Sequence, residues 1–216
     1  MNIEQARFNM IEQQIRPWNV LAQDVLDMLM VVKRENYFPE NQKSLAFFDT
    51  ELPLADGVYA LSPKLEARIV QEVAVKKHET VLLVGAGTGY LAALLAYKAR
   101  HVTVMETIPE IKALAEKNLS QNGITNVDVV WGDALQGKHA ATFDVIVVSG
   151  SLETIPDDLQ KQLAVNGRMF VIIGKAPVML AQVITRESEL FFNTKQLFET
   201  SVPRLPQAVP VSTFSF

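Results

Sequence analysis

Cysteine is absent from the 216 residues, which excludes a disulfide framework, a thiolate nucleophile and any cysteine-ligated zinc or iron–sulfur site. The same absence fits a reducing compartment, and the chain reads as cytoplasmic. Long apolar runs are missing too: stretches such as Leu91 to Tyr97 fall well short of the roughly 20 residues a membrane span needs. The stretch from Met1 to Pro17 interrupts its apolar residues with polar ones and has no signal-peptide core. An excess of one charge is also lacking. Lys plus Arg is 20 against 24 Asp plus Glu, a net charge of -4, so neither nucleic acid nor an anionic membrane is expected as a partner. His78, His101 and His139 are scattered without metal-ligand spacing, and neither H-E-x-x-H nor G-x-S-x-G occurs. No metal centre and no serine hydrolase is expected.

Apolar residues make up 49% and charged residues 20%, the balance of a chain that buries a sizeable core. Residues 3 to 14 and 24 to 34 carry helical spacing, with Pro17 between them. Periodicity then fails from Glu35 to Pro63, where Pro39, Pro53, Gly57 and Pro63 punctuate the chain; a loop that long in a compact domain is usually functional. From residue 64 apolar runs alternate with helical patterns. Helices are predicted near 64 to 75, 89 to 98, 109 to 123 and 156 to 164. Strands are predicted at Thr80–Val84, His101–Met105, Val127–Trp131, Phe143–Val148 and Arg168–Ile173. Parallel strands buried on both faces read as continuous Val, Ile and Leu, so the fold class is α/β, with a doubly wound, mostly parallel sheet. Met179 to Thr185 and Leu190 to Phe198 read as an antiparallel hairpin at one sheet edge. The expected organisation is one domain over 1–216: amino-terminal helices and loop (1–63), core (64–175) and carboxyl-terminal strands (176–216).

The densest chemical signal is Gly85-Ala86-Gly87-Thr88-Gly89, placed between the first core strand and its helix. Its glycines let backbone approach a ligand, and the turn presents unpaired N–H groups to an anion. Its G-x-G-x-G spacing differs from the G-x-G-x-x-G of dinucleotide folds and favours a carboxylate over a pyrophosphate. Glu106 ends the second strand 17 residues after Gly89, where a carboxylate can accept from both hydroxyls of a ribose; Thr107 follows it. Asp133, with Ala134 after it, lies at the end of the third strand, where it either caps its own turn or accepts from an adenine amino group. Ser149 ends the fourth strand. An amino-acid carboxylate, a ribose and an adenine together describe S-adenosylmethionine, with S-adenosylhomocysteine as the product after transfer.

Beyond that turn, the blocks Glu4-Gln5-Ala6-Arg7, Gln13-Gln14-Ile15-Arg16, Arg34-Glu35-Asn36-Tyr37-Phe38-Pro39, Ala46-Phe47-Phe48-Asp49, Pro53-Leu54, Gly132-Asp133, Phe143 to Val148 and Asn166-Gly167-Arg168 resemble the protein-L-isoaspartate O-methyltransferase family of class I methyltransferases. The resemblance implies a Rossmann-like methyltransferase fold and methyl ester formation on a protein or peptide carboxylate, in protein repair. The chain departs from the family at its substrate-side serine. Aligned on Pro63, Leu61 stands at that position, and a one-residue slip offers Ser62. The acidic residue usual before the glycine turn is Leu83, and the glycine after Gly-Asp is Ala134.

A carboxylate acceptor is already ionised at neutral pH and needs alignment and desolvation more than a base. A hydroxyl or amine acceptor needs one, and Asp49, Glu51 and Asp56 are the loop carboxylates nearest the predicted acceptor side, with Tyr59 beside them. Phe47-Phe48 and Phe191-Phe192 either face that groove or join the core. The Leu61 and Tyr59 replacements keep open a different acceptor, including a small molecule, and a module that binds the cofactor without turnover.

Overall fold

The computed structural model describes residues 2–55, 57–136 and 141–208. At its centre lies the run Val81-Leu82-Leu83-Val84, every side chain of which is sealed from water. Alternation along the strand sends Val81 and Leu83 to one face and Leu82 and Val84 to the other, the two-sided burial that a continuous apolar run requires. This strand, β3 (Thr80–Val84), pairs in parallel with β4 (His101–Glu106) on one side and β6 (Phe143–Leu152) on the other. β5 (Val127–Trp131) extends the sheet beyond β4, and β7 (Leu163–Lys175) extends it in parallel beyond β6. β8 (Val178–Arg186) and β9 (Phe192–Thr200) complete the sheet as antiparallel strands. The order β5-β4-β3-β6-β7-β8-β9 reverses direction at β3/β6, so the carboxyl ends of those two strands splay their following loops apart and leave a crevice.

Helices α3 (Pro63–Val73), α4 (Tyr90–Ala96) and α5 (Pro109–Gln121) cover one face together with amino-terminal α1 (Ile3–Met10) and α2 (Gln23–Val31). The opposite face packs the short α6 (Asp157–Lys161) and Leu205. Among the described residues, no helix is long and apolar enough to cross a membrane.

Several boundaries differ from the sequence reading. The first helix stays α-helical only to Met10 and widens into a π-turn over Ile11–Ile15. The sixth, Asp157–Lys161, is about one turn shorter than 156 to 164, because Leu163 already pairs with Phe143 in the sheet. β6 runs on to Leu152, since Ser151 N–H donates to the Pro203 carbonyl and the Leu205 N–H donates back to Ser151. The stretch from Glu35 to Pro63 is not a bare loop. It holds a 3-10 segment, Glu40–Phe47, and a small antiparallel pair, β1 (Leu52–Ala55) and β2 (Val58–Ala60), too short for a periodic signal.

Candidate functional site

The crevice is open to solvent and is walled by the loops after β3, β4 and β6 on one side and by β2 and α3 on the other. One wall is the glycine turn. Gly85 has φ +90° and a Cβ there would stand 2.4 Å from the Ser149 hydroxyl, so the position admits no side chain. Gly89, at φ +86°, abuts the backbone of Ala115 in α5. Ser149 holds the turn from below, its Oγ within 2.9 Å and 3.0 Å of the Val84 and Gly85 carbonyls. Gly87 and Thr88 line the opening, and their N–H groups reach no acceptor among the described residues, leaving donors for an anionic group. Ala86 lies between Gly85 and Gly87 and is buried.

Glu106 is built in more tightly than its place at a strand end suggests. Oε2 accepts from the Ala86 N–H at 2.8 Å, while Oε1 accepts from the N–H groups of Thr107 at 2.8 Å and Ile108 at 2.9 Å. The carboxylate thus pins the β4 loop to the glycine turn and is 5% exposed. With about four lone-pair sites on a carboxylate, one remains toward the crevice, not the two that a ribose diol held by this residue alone requires. Thr107 sits behind that opening, its carbonyl accepting from the Trp131 ring N–H at 3.2 Å. Asp133 caps its own turn, Oδ1 accepting from the Leu135 N–H at 2.9 Å and Oδ2 from Gln136 at 3.0 Å. It stands outside the crevice wall. Ala134 is buried, its carbonyl accepting from Gln162.

The facing wall comes from β2 and the start of α3. Tyr59 and Leu61 both line the crevice, Tyr59 in part open to solvent and Leu61 buried. Ser62, the alternative at the family's serine position, is turned away into a separate groove with Asp49, Glu51 and Lys64. There Lys64 pairs with Asp49 at 2.7 Å. Burial, helped by Asp49, raises the Glu51 carboxyl above its usual range. These loop carboxylates do not reach the crevice. Asp56 and His139 lie outside the described residues. Phe47 belongs to the core, and neither Phe48 nor Phe191-Phe192 lines the crevice. No group of His, Asp or Glu side chains among the described residues is arranged to hold a metal ion.

Two side chains that the sequence reading did not single out hold the facing wall in place. Arg34, 1% exposed, donates from Nε to Glu66 Oε2 at 2.8 Å, and from its two terminal nitrogens to the carbonyls of Ala46 at 2.5 Å and Leu61 at 2.6 Å. Its guanidinium lies 4.9 Å from the Phe38 ring centroid. Glu66 contributes to the crevice wall; burial pushes its carboxyl upward and the Arg34 charge opposes that shift. The partners lie 32 residues apart, a separation with no local signal. Arg204, in the segment after β9, was missed for the same reason; it too lines the crevice.

An α/β sheet whose crevice opens at its direction change, with a glycine cradle and a buried acid at adjacent strand ends, defines a nucleoside-binding enzyme fold. Solved structures share it. The chain superposes with TM-score 0.81 on a Plasmodium falciparum chain described as a protein-L-isoaspartate O-methyltransferase in complex with S-adenosyl-L-homocysteine, at 21% identity, covering 96% of this chain and 99% of that one. A second protein-L-isoaspartate O-methyltransferase gives 0.74 at 23% identity, covering 94% and 65%. At such identities the likeness is one of fold. In sequence, the family model for protein-L-isoaspartate(D-aspartate) O-methyltransferase matches residues 5–203. Relatives of that name from Methanoculleus marisnigri and Gloeobacter violaceus are 33% and 37% identical, over 85% and 76% of this chain and 84% and 81% of theirs. The chain belongs to the protein-L-isoaspartate O-methyltransferase family.

Proposed function

We propose that the crevice binds S-adenosylmethionine and that the chain methylates a carboxylate of a protein or peptide, isoaspartyl residues being the acceptors its family membership points to. The observation that carries this is the opposition of the glycine cradle and the Tyr59–Leu61 strand across one crevice, which puts a nucleoside-side wall and an acceptor-side wall within reach of each other. The bound cofactor supplies a sulfonium methyl group. Gly87 and Thr88 N–H groups take its carboxylate, Gly85 and Ala86 let it lie against the turn, and Glu106 takes one ribose hydroxyl. Ser149 shapes the nucleoside end from beneath the glycine turn, while Thr107 and the Asp133-Ala134 turn stand behind the crevice wall. Leu61 desolvates the acceptor, and Tyr59 stands at its entrance.

No proton need be removed from a carboxylate acceptor. That agrees with a wall whose two acids are both engaged, Glu66 with Arg34 and Glu106 with backbone N–H groups. The three segments 1–63, 64–175 and 176–216 work as one unit in this reading, because each supplies part of the wall. The lack of cysteine supports a cytoplasmic setting. Leu61 at the serine position favours a second reading, a small carboxylate acceptor in place of a peptide. Incubation with methyl-labelled cofactor, an isoaspartyl peptide and a cell extract separates the two. Label in the peptide or in extract protein as base-labile ester supports the first, label in small molecules the second, and no uptake by any pool refutes catalysis.

A further inference from the structure

The geometry points to Arg204 as the residue that anchors the acceptor carboxylate, with Glu153 occupying its guanidinium until the acceptor arrives. This rests on the proposed methylation of a carboxylate and names the group that selects it.

An anionic acceptor entering the crevice meets two carboxylates, Glu66 and Glu106, and at Leu61 an apolar side chain that cannot donate a hydrogen bond. Burying a carboxylate beside these without a donor is costly. Among the described residues that form the wall, Arg204 is the one cation. Its backbone is fixed where it crosses the end of β6: Ser151 N–H donates to the Pro203 carbonyl at 3.0 Å and Leu205 N–H to the Ser151 carbonyl at 3.2 Å. The guanidinium forms one ion pair, from a terminal nitrogen to Glu153 Oε1 at 2.5 Å, and its remaining donors have no partner among the described residues. A guanidinium fork matches a carboxylate.

Glu153 can be released without being stranded, since its other oxygen, Oε2, also pairs with Lys175 at 3.1 Å. The acceptor therefore exchanges for one carboxylate at Arg204 and leaves the displaced one paired at the surface. With Arg204 holding one oxygen of the acceptor, the other oxygen forms the O–CH3 bond while the S–CH3 bond breaks and its electron pair goes to sulfur. The anionic acceptor and cationic sulfonium both become neutral, and no proton moves.

The test is binding, measured on the full chain loaded with S-adenosylhomocysteine. An isoaspartyl peptide and its carboxamide counterpart are titrated against unaltered protein, Arg204→Gln and Arg204→Lys, alongside the S-adenosylhomocysteine dissociation constant of each. Arg204→Gln should weaken the carboxylate peptide about 10-fold to 150-fold, the range for hydrogen bonds to a charged group. It should leave the carboxamide peptide and S-adenosylhomocysteine unaffected, and Arg204→Lys should recover most of the loss. Glu153→Gln should tighten the carboxylate peptide by removing its competitor. Equal carboxylate binding by Arg204→Gln and unaltered protein, or no preference for carboxylate over carboxamide in loaded unaltered protein, overturns the assignment and leaves the cofactor reading standing. If unaltered protein does not bind S-adenosylhomocysteine, the cofactor reading fails and takes the assignment with it.

Discussion

The two walls of the crevice are made in different ways. The nucleoside-side wall follows from the sheet: β3, β4 and β6 lie in register, and their ends bring Gly85, Glu106 and Ser149 together by neighbouring pairings. Backbone N–H groups then satisfy the one charged side chain there. The acceptor-side wall has no ladder behind it. A short strand and a helix start are held by the Arg34–Glu66 pair and by two carbonyls bonded to the same guanidinium. A wall formed by a sheet tolerates the loss of single side chains better than one hung on a single buried cation. It also allows the second wall to change its chemistry, as Leu61 shows, without disturbing the first.

The sharpest break should come at Arg34. Arg34→Met leaves Glu66 buried without its partner and two carbonyls unpaired, so unfolding free energy should fall by about 3 to 5 kcal/mol, read by urea denaturation. The Glu66 carboxyl, already pushed up by burial, rises further when the opposing charge is gone. A carboxyl raised in the folded state binds its proton more tightly there than in the unfolded chain. Stability of Arg34→Met should therefore decline as pH climbs above the ordinary carboxylate range near about 4.3. Replacing both partners, Arg34→Met with Glu66→Leu, should restore most of the loss. If the single variant is as stable as the unaltered protein, the contrast between the walls is wrong.

A smaller effect is expected at Glu106. Exchanging one oxygen for an amide donor turns at least one of three backbone bonds into a donor facing a donor, at a cost of about 1.5 to 3 kcal/mol, visible in the ligand-free protein by chemical denaturation. A residue that only touched ligand would show no such change. The smallest effect concerns the opposite end of the sheet, where Arg168 donates to both oxygens of Glu79 at 2.8 Å. Burial acts to raise the Glu79 carboxyl, but the Arg168 guanidinium and the Lys76 N–H outweigh it and hold it below its usual range. Its contribution is thus complete above the ordinary carboxylate value and fades as pH falls through the lowered one. Glu79→Gln should flatten that acid limb of the stability profile and leave S-adenosylhomocysteine affinity unchanged, as a site remote from both walls requires.

The same contrast explains what the sequence made legible. The five strands predicted between Thr80 and Ile173 fall within strands of the sheet, because a continuous apolar run needs no partner to be recognised. The hairpin followed from Arg186-Glu187-Ser188-Glu189 between two apolar runs, and β8 and β9 flank that turn. Gly85, Glu106 and Ser149 were visible as strand-end residues, although the bond that Glu106 accepts from the Ala86 N–H depends on how the turn after β3 folds back. Asp133 shows the other side: an Asp after Gly has a turn of its own to cap, and the structure shows that bond formed. Arg34, Glu66 and Arg204 stayed hidden because each matters through a partner or a wall supplied by a distant stretch of chain. Asp49 and Glu51 stood close to Leu61 in sequence, yet they point into another groove, since the antiparallel pair β1–β2 reverses the chain between them.

The most direct test of the central claim, that this crevice is an S-adenosyl nucleoside site, is calorimetric titration of S-adenosylhomocysteine into the unaltered protein in the presence of a chelator. Saturable heat at one site per chain, weakened about tenfold or more by Glu106→Gln at a concentration of denaturant-free, folded protein verified by circular dichroism, is the expected result. Folded protein that gives no heat up to millimolar ligand would contradict it.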